Sequence, residues 1–433
     1  MHKISKERNI VSINSKKRIW SSTNGFAEYI VKHTLLSDPN FLGSAAIEYK
    51  KIYESDANNP KNFHTMPDHI RKILYLDACD LIVEMDNEPI LSIEITTEAG
   101  TGHNSFQRFA RIAASVENDV PAFYIYPEGA IVTRKDAHPR WDRINPLIFR
   151  ALDEVMNIYR IPALLYYYPS DIYDFGDCPE ASPNLRQKGL HRDAEFIDCP
   201  DAASESMQNM FLAINRILMI TKKYGILPGR EKLLRDRIIH DQHIYMQDQY
   251  YQKSNGKSYT EMSPLSAVFT VPTEYLINYL SKYTDSNYEV GELIRSRQNT
   301  KIYQVNAHFR GDPYPGALSA IDYLVCRTGK TFEDRDYNLV LLFGKLTIDD
   351  QHKTIQITDE KNSTINDFIN DVKNCSSHNL LTKNYHELKN SEIPRYFMQV
   401  RYGSTYSKAK HIRVFSYFAD VILFPDGSLW RDA

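Results

Sequence analysis

Residues 80–96 read DLIVEMDNEPILSIEIT. Two apolar, β-branched runs, 80–85 and 89–96, flank the polar triplet Asp86-Asn87-Glu88. Runs of this kind on either side of a short polar turn predict a β-hairpin. The second strand carries an anomaly, because Glu94 stands between Ile93 and Ile95. A carboxylate near a sheet interior is costly unless it is paired or bound to a cation. In an extended strand Ser92, Glu94 and Thr96 share one face, while Ile93, Ile95 and Thr97 share the other. Asp80 opens the first strand, so Asp80 and Glu94 both lie at strand ends away from the turn. Their side chains are expected close together at one edge of the sheet. Two such carboxylates repel, and a divalent cation between them would relieve the repulsion.

The surrounding sequence predicts the rest of the layer. Residues 1–20 read as a basic arm leading into a first helix. Thr23-Asn24-Gly25 offers its N-cap, Phe26, Ile30, Val31 and Leu35 follow at helical spacing, and Glu28 lies in its first turn. Residues 73–76 (ILYL) open a strand-rich segment. After the hairpin, Gly100-Thr101-Gly102 breaks the chain and an amphipathic helix is expected over about 104–116. Its apolar face is Phe106, Phe109, Ala110, Ile112 and Ala113. A strand at 121–127 (PAFYIYP), a helix at about 146–159 and a strand at 162–168 (PALLYYY) complete the pattern. Strands interleaved with helices indicate an α/β fold, a mixed sheet covered on both faces. The expected division is a first domain over residues 1–170, a connector over 171–203, and a region over 204–433 that is helical to about 255 and α+β beyond. Residues 310–335 are turn-rich and then apolar, a structured loop leading into a core helix, with no assigned chemistry.

Composition sets outer bounds. With 433 residues, two or three domains are expected; 42% hydrophobic and 25% charged residues are ordinary for a soluble globular protein. The net charge of −3 does not mark a nucleic-acid binder by its sum, so the distribution of charge matters more. Tyrosine is abundant, at 29 against 17 glycines, and its use in strands and cores is the simpler explanation over base stacking. The five cysteines, Cys79, Cys178, Cys199, Cys326 and Cys375, are widely spaced and form no CxxC pair. That argues against a zinc site or a disulfide framework and suits a reducing, cytoplasmic compartment. Residues 1–18 lack an apolar signal core. No run approaches the ~18–20 apolar residues of a membrane span.

The order helix, acidic hairpin, helix, strand over about residues 22–127 resembles the PD-(D/E)xK nuclease superfamily, the fold of most type II restriction endonucleases. In that superfamily a first helix often bears a Glu and the hairpin carries Asp and then Glu-x-Lys. The resemblance implies a restriction-endonuclease-like core and a Mg²⁺- or Mn²⁺-dependent, sequence-specific DNA endonuclease of the restriction-modification kind. Asp80 and Glu94 would hold the metal, with Glu28 as the first-helix acid. Double-stranded DNA would be the partner, and a homodimer would cut both strands. The sequence departs from the pattern at Thr96, where the superfamily has its Lys. His103, at the mouth of the next helix, is the candidate to position water or protonate the leaving oxygen. Gln107, Arg108 and Arg111 follow on that helix, and either arginine would stabilise phosphate charge.

Plainer accounts stand beside these. Asp80 suits a strand end and Glu94 a salt bridge; Glu28 suits the helix dipole, and His103 a helix cap. Thr96 suits an ordinary strand. Further DNA contacts are expected from Lys232 and Arg235 in the basic run 216–240. Arg401, Lys408 and Lys410 are expected to add more, from a stretch that interleaves basic and aromatic residues. An exposed helix and an edge hairpin account for the same letters. Two alternatives to restriction-type cutting remain: a repair or nicking nuclease, and a non-cutting nucleic-acid-binding protein on a degenerate nuclease fold.

Overall fold

A computed structural model describes residues 16–41, 43, 46–53, 60–74, 78–96, 109–127, 129–132, 140–143, 147–169, 190–253, 267–282, 296–305, 336–358, 420–423 and 429–430. The described elements begin β1 (Lys17–Ser21), α1 (Asn24–Lys32), β2 (Glu48–Lys51), α2 (Pro60–Thr65) and α3 (Asp68–Leu74). The predicted hairpin follows as β3 (Leu81–Met85) and β4 (Glu88–Ile95), then α4 (Phe109–Glu117) and β5 (Ala122–Pro127). A small hairpin, β6 (Gly129–Val132) and β7 (Arg140–Arg143), precedes α5 (Leu147–Tyr159) and β8 (Ala163–Tyr168). Three helices follow, α6 (Glu205–Tyr224), α7 (Ile226–Leu233) and α8 (Arg237–Lys253).

Six strands form one mixed sheet in the order β2-β1-β3-β4-β5-β8. β3 and β4 are antiparallel, while β4, β5 and β8 run parallel. Parallel neighbours require crossovers, and α4 and α5 supply them, as the alternating sequence pattern predicts. The parallel strands are buried along their length. The AFYIYP and ALLYYY runs contribute Phe123, Tyr124, Tyr126, Tyr166, Tyr167 and Tyr168 to the interior. Much of the tyrosine excess is thus core.

The hairpin turn is two residues long, with Asp86 at φ 50° and Asn87 at φ 64°. Positive φ at both positions is the type I′ geometry that matches strand twist, and Asp and Asn tolerate it best after glycine. Asp86 Oδ1 also accepts the Lys16 backbone N–H at 3.0 Å. Asn87→Val is expected to cost about 1–2 kcal/mol, because a β-branched residue resists this backbone region. Urea denaturation would measure it.

Two local expectations change. Residues 17–20 belong to no arm: β1 sits in the sheet between β2 and β3. Its neighbours bury Ile19 and Trp20, and Lys17 and Ser21 with them, so its basic letters belong to an interior strand. Ile73 and Leu74 end helix α3 instead of opening a strand; both are fully buried on its apolar side.

The chain separates into two compact units, one of residues 1–53, 66–74 and 78–259, the other of 54–65, 75–77 and 260–433. The first unit runs on past the boundary expected near residue 170. Ser206 Oγ accepts the Tyr167 N–H at 2.8 Å, and Tyr167 donates its hydroxyl to the Met246 carbonyl at 3.0 Å, so α6 and α8 are fastened to β8. The Arg230 guanidinium on α7 donates to the Pro89 carbonyl at 2.6 Å, tying that helix to the hairpin. In the second unit β9 (Ala267–Pro272), α9 (Thr273–Leu280), β10 (Asn299–Val305), β11 (Tyr337–Phe343), β12 (Lys345–Asp349), β13 (Thr354–Thr358), β14 (Val421–Leu423) and β15 (Leu429–Trp430) are described. A five-stranded sheet, β15-β14-β11-β10-β9, covers an apolar core that includes Val271, Ile302, Val340 and Leu342. Among the described residues, no helix is long and apolar enough to cross a membrane.

Candidate active site

The hairpin brings Asp80 and Glu94 together. Asp80 is bolted to the start of β3: its N–H donates to the Ile93 carbonyl at 3.1 Å, and its own carbonyl accepts the Ser22 N–H at 2.9 Å. One carboxylate oxygen accepts the Ile95 N–H at 3.0 Å and the other accepts the Ser22 hydroxyl at 3.1 Å. Glu94 lies one residue along on the buried sheet, 2% exposed, in register with Tyr124 of β5.

Arg111 stands between them. Its Nη1 lies 2.5 Å from both oxygens of Glu94 and 3.9 Å from Asp80 Oδ2. The guanidinium itself is buried, with 7% of the side chain exposed. The pairing follows from how α4 lies on β4. Ser92 and Glu94 are two strand residues apart, about 6.6 Å, and Ser115 and Arg111 are four helix residues apart, about 6 Å. The spacings match, so Ser92 Oγ meets Ser115 Oγ at 2.8 Å while Arg111 meets Glu94. Between Lys72 and Arg108 the sequence holds no Lys or Arg, so no basic partner for Glu94 is legible in the hairpin itself. Arg111 and Ser115 at i and i+4, against Glu94 and Ser92 at i and i+2, carried the signal. The same holds for Glu84, an acid of the hairpin that is 1% exposed. It accepts from Trp20 Nε1 at 2.5 Å and from the Arg18 guanidinium, both on β1.

Thr96 shares the face of Glu94. Its N–H donates to the Ile125 carbonyl at 2.9 Å, but its hydroxyl is buried without a hydrogen-bond partner among the described residues. An unbonded buried hydroxyl is a cost. Thr96→Val keeps the shape and removes that cost, so stability is expected to hold or rise by up to about 1 kcal/mol in urea denaturation. Beside this group Cys79 is fully buried; burial, then the charges of Glu94 and Asp80, push its thiol far above the ordinary range. Burial of this kind favours the neutral thiol.

The other predicted residues lie elsewhere. Glu28 is on the exposed side of α1; burial first, and then the charge of Glu28, raise the phenol of Tyr49 on edge strand β2. It does not join Asp80 and Glu94, and among the described residues no group of three or more His, Cys, Asp or Glu side chains forms a metal-holding cluster. Lys232 and Arg235 are exposed on the helical side of the same unit, with Lys232 Nζ 5.0 Å above the Tyr224 ring. His103, Gln107, Arg108, Arg401, Lys408, Lys410 and the segment 310–335 lie outside the described residues.

The donor set can be tested against the cation the resemblance implies. Mg²⁺ is commonly held by one or two carboxylates, the remaining positions being water and substrate phosphate. Asp80 and Glu94 converging on one guanidinium nitrogen supply those two carboxylates, and the unbonded Thr96 hydroxyl is a neutral oxygen on the same face. The ligand types suit a hard divalent cation, while in this structure both Glu94 oxygens are held by the Arg111 guanidinium. Compared with known proteins, the chain matches no family model, no curated protein and no solved structure.

Proposed function

We propose that the first unit is a Mg²⁺- or Mn²⁺-dependent DNA endonuclease acting on double-stranded DNA, with Asp80 and Glu94 as the cation ligands. The observation that carries the reading is the convergence of these carboxylates, from the start of β3 and the end of β4, on the single Arg111 nitrogen. A bound divalent cation would polarise a phosphoryl oxygen and lower the pKa of a bound water. The chain's own residues do the positioning. The Ile95 N–H and Ser22 hydroxyl orient the Asp80 carboxylate, and the α4–β4 packing aims Glu94. Arg111 now holds Glu94; were a cation to take over that charge, its guanidinium would be the group on hand for a non-bridging phosphate oxygen. Restriction-type sequence recognition and a homodimer belong to the same proposal.

The test is incubation of the purified chain with supercoiled plasmid and Mg²⁺ or Mn²⁺. Linear product or discrete bands on mapped DNA are expected. Open-circle product alone would mark a nicking or repair nuclease. A second reading has its own observation: the Arg111–Glu94 pair already neutralises the site, and Thr96 stands where the superfamily has Lys. On that reading the chain binds nucleic acid without cutting it. Intact plasmid with both metals, together with retained DNA binding, would establish it and sink the endonuclease.

A further inference from the structure

A cleft of about 900 Å³ opens where α5, α6, α7 and α8 meet the sheet-edge strand β8, within the first unit. It shares no lining residue with the Asp80–Glu94 group. Its volume is in the range of small-molecule sites. Its charge is unevenly used. Arg216 is committed to Asp236, at 2.7 Å. Asp153, beside His243, and the exposed Glu231 line the cleft as well; Arg160, Lys232 and Arg235 line it, are all exposed, and meet no carboxylate among the described residues.

Two further features shape the cleft. His243 lines it and is 6% exposed, with its Nε2 2.6 Å from Asp153 Oδ1, so the imidazole is already paired. Arg160 caps α5 in the left-handed region, at φ 57°, with its N–H on the Met156 carbonyl at 3.0 Å. Glycine is the usual residue there, and an arginine costs about 1 kcal/mol. The backbone strain places a guanidinium at the cleft.

We infer that this cleft binds a terminal phosphate. Three cations without a carboxylate partner among the described residues, Lys232 resting over the Tyr224 ring, suit a dianion better than the single charge of a phosphodiester. A free nucleotide and the 5′-phosphorylated end of a DNA strand both present that group. The inference rests on the cleft's charge and shape and is independent of the endonuclease reading.

Isothermal titration of the full chain tests it with four probes: adenosine monophosphate, adenosine, and a short blunt duplex with and without 5′-phosphates. Phosphate-dependent binding is expected, at least ~10-fold tighter than to the unphosphorylated counterpart, from charge-assisted hydrogen bonds. The pair in which it appears identifies the source. Lys232→Gln with Arg235→Gln should weaken it about 10-fold or more, and adding Arg160→Gln should abolish it; all three residues are exposed and bear no ion pair among the described residues. Asp80→Asn should leave it unchanged, which separates this site from the failure of the nuclease reading. Absence of phosphate-dependent binding in both pairs, or binding that survives the triple substitution, would overturn the inference.

Discussion

Arg111→Met is expected to cost the first unit about 3–5 kcal/mol of stability, the price of leaving a buried carboxylate without its counter-ion. Glu94 is 2% exposed and its charge is met by Arg111 at 2.5 Å, with Asp80 3.9 Å from the same nitrogen. Against a whole-domain stability of about 5–15 kcal/mol, such a loss is large. Chemical denaturation of the variant against the parent measures it. Metal is the informative addition. If Asp80 and Glu94 are cation ligands, Mn²⁺ or Mg²⁺ replaces the lost guanidinium charge and recovers most of the stability by binding only the folded state. A variant that is destabilised and indifferent to both metals would show that the pair is a structural ion pair and the carboxylates hold no cation.

Asp80→Asn is expected to fold like the parent and to lose cleavage by about 10³-fold or more, the several kcal/mol that a metal contributes to transition-state charge. Folding is preserved because the amide can reproduce both contacts. Its oxygen accepts the Ile95 N–H, and its NH₂ donates to Ser22 Oγ, at the positions now 3.0 and 3.1 Å away. What is lost is the negative charge. Plasmid cleavage by matched concentrations of variant and parent, with urea denaturation as the folding control, decides the matter. Cleavage at the parent rate would remove Asp80 from the cation site. Glu94→Gln is the less clean companion, because it also strips Arg111 of its buried partner.

Most of the first layer was legible because it rests on local pattern. The DLIVEM and PILSIEIT runs became β3 and β4, and the Asp86-Asn87 pair became the turn, since period-two alternation and tolerance of positive φ are properties of neighbouring residues. The AFYIYP and ALLYYY strands and the helices between and after them were equally local. The strand at Lys17–Ser21 was missed because its basic letters are compatible with an arm. Only placement between β2 and β3 gives Arg18 its buried partner Glu84 and Trp20 its burial.

At the site the division is sharper. By itself the sequence determined that a carboxylate at position 94 would sit in an apolar strand, near Asp80, on the face shared with Ser92 and Thr96. Strand periodicity and the hairpin require that much. Whether that carboxylate meets a base depended on which helix crosses the strand and in which register. Only the tertiary structure laid α4 over β4 so that Arg111, seventeen residues along the chain, falls on Glu94. The tertiary structure also set Glu28 apart, beside Tyr49. It gathered Arg160, Lys232, Arg235 and His243 around one cleft. Burial and alternation are written along the chain. Charge pairing acts through space at a few ångströms, and the packing of distant segments decides it.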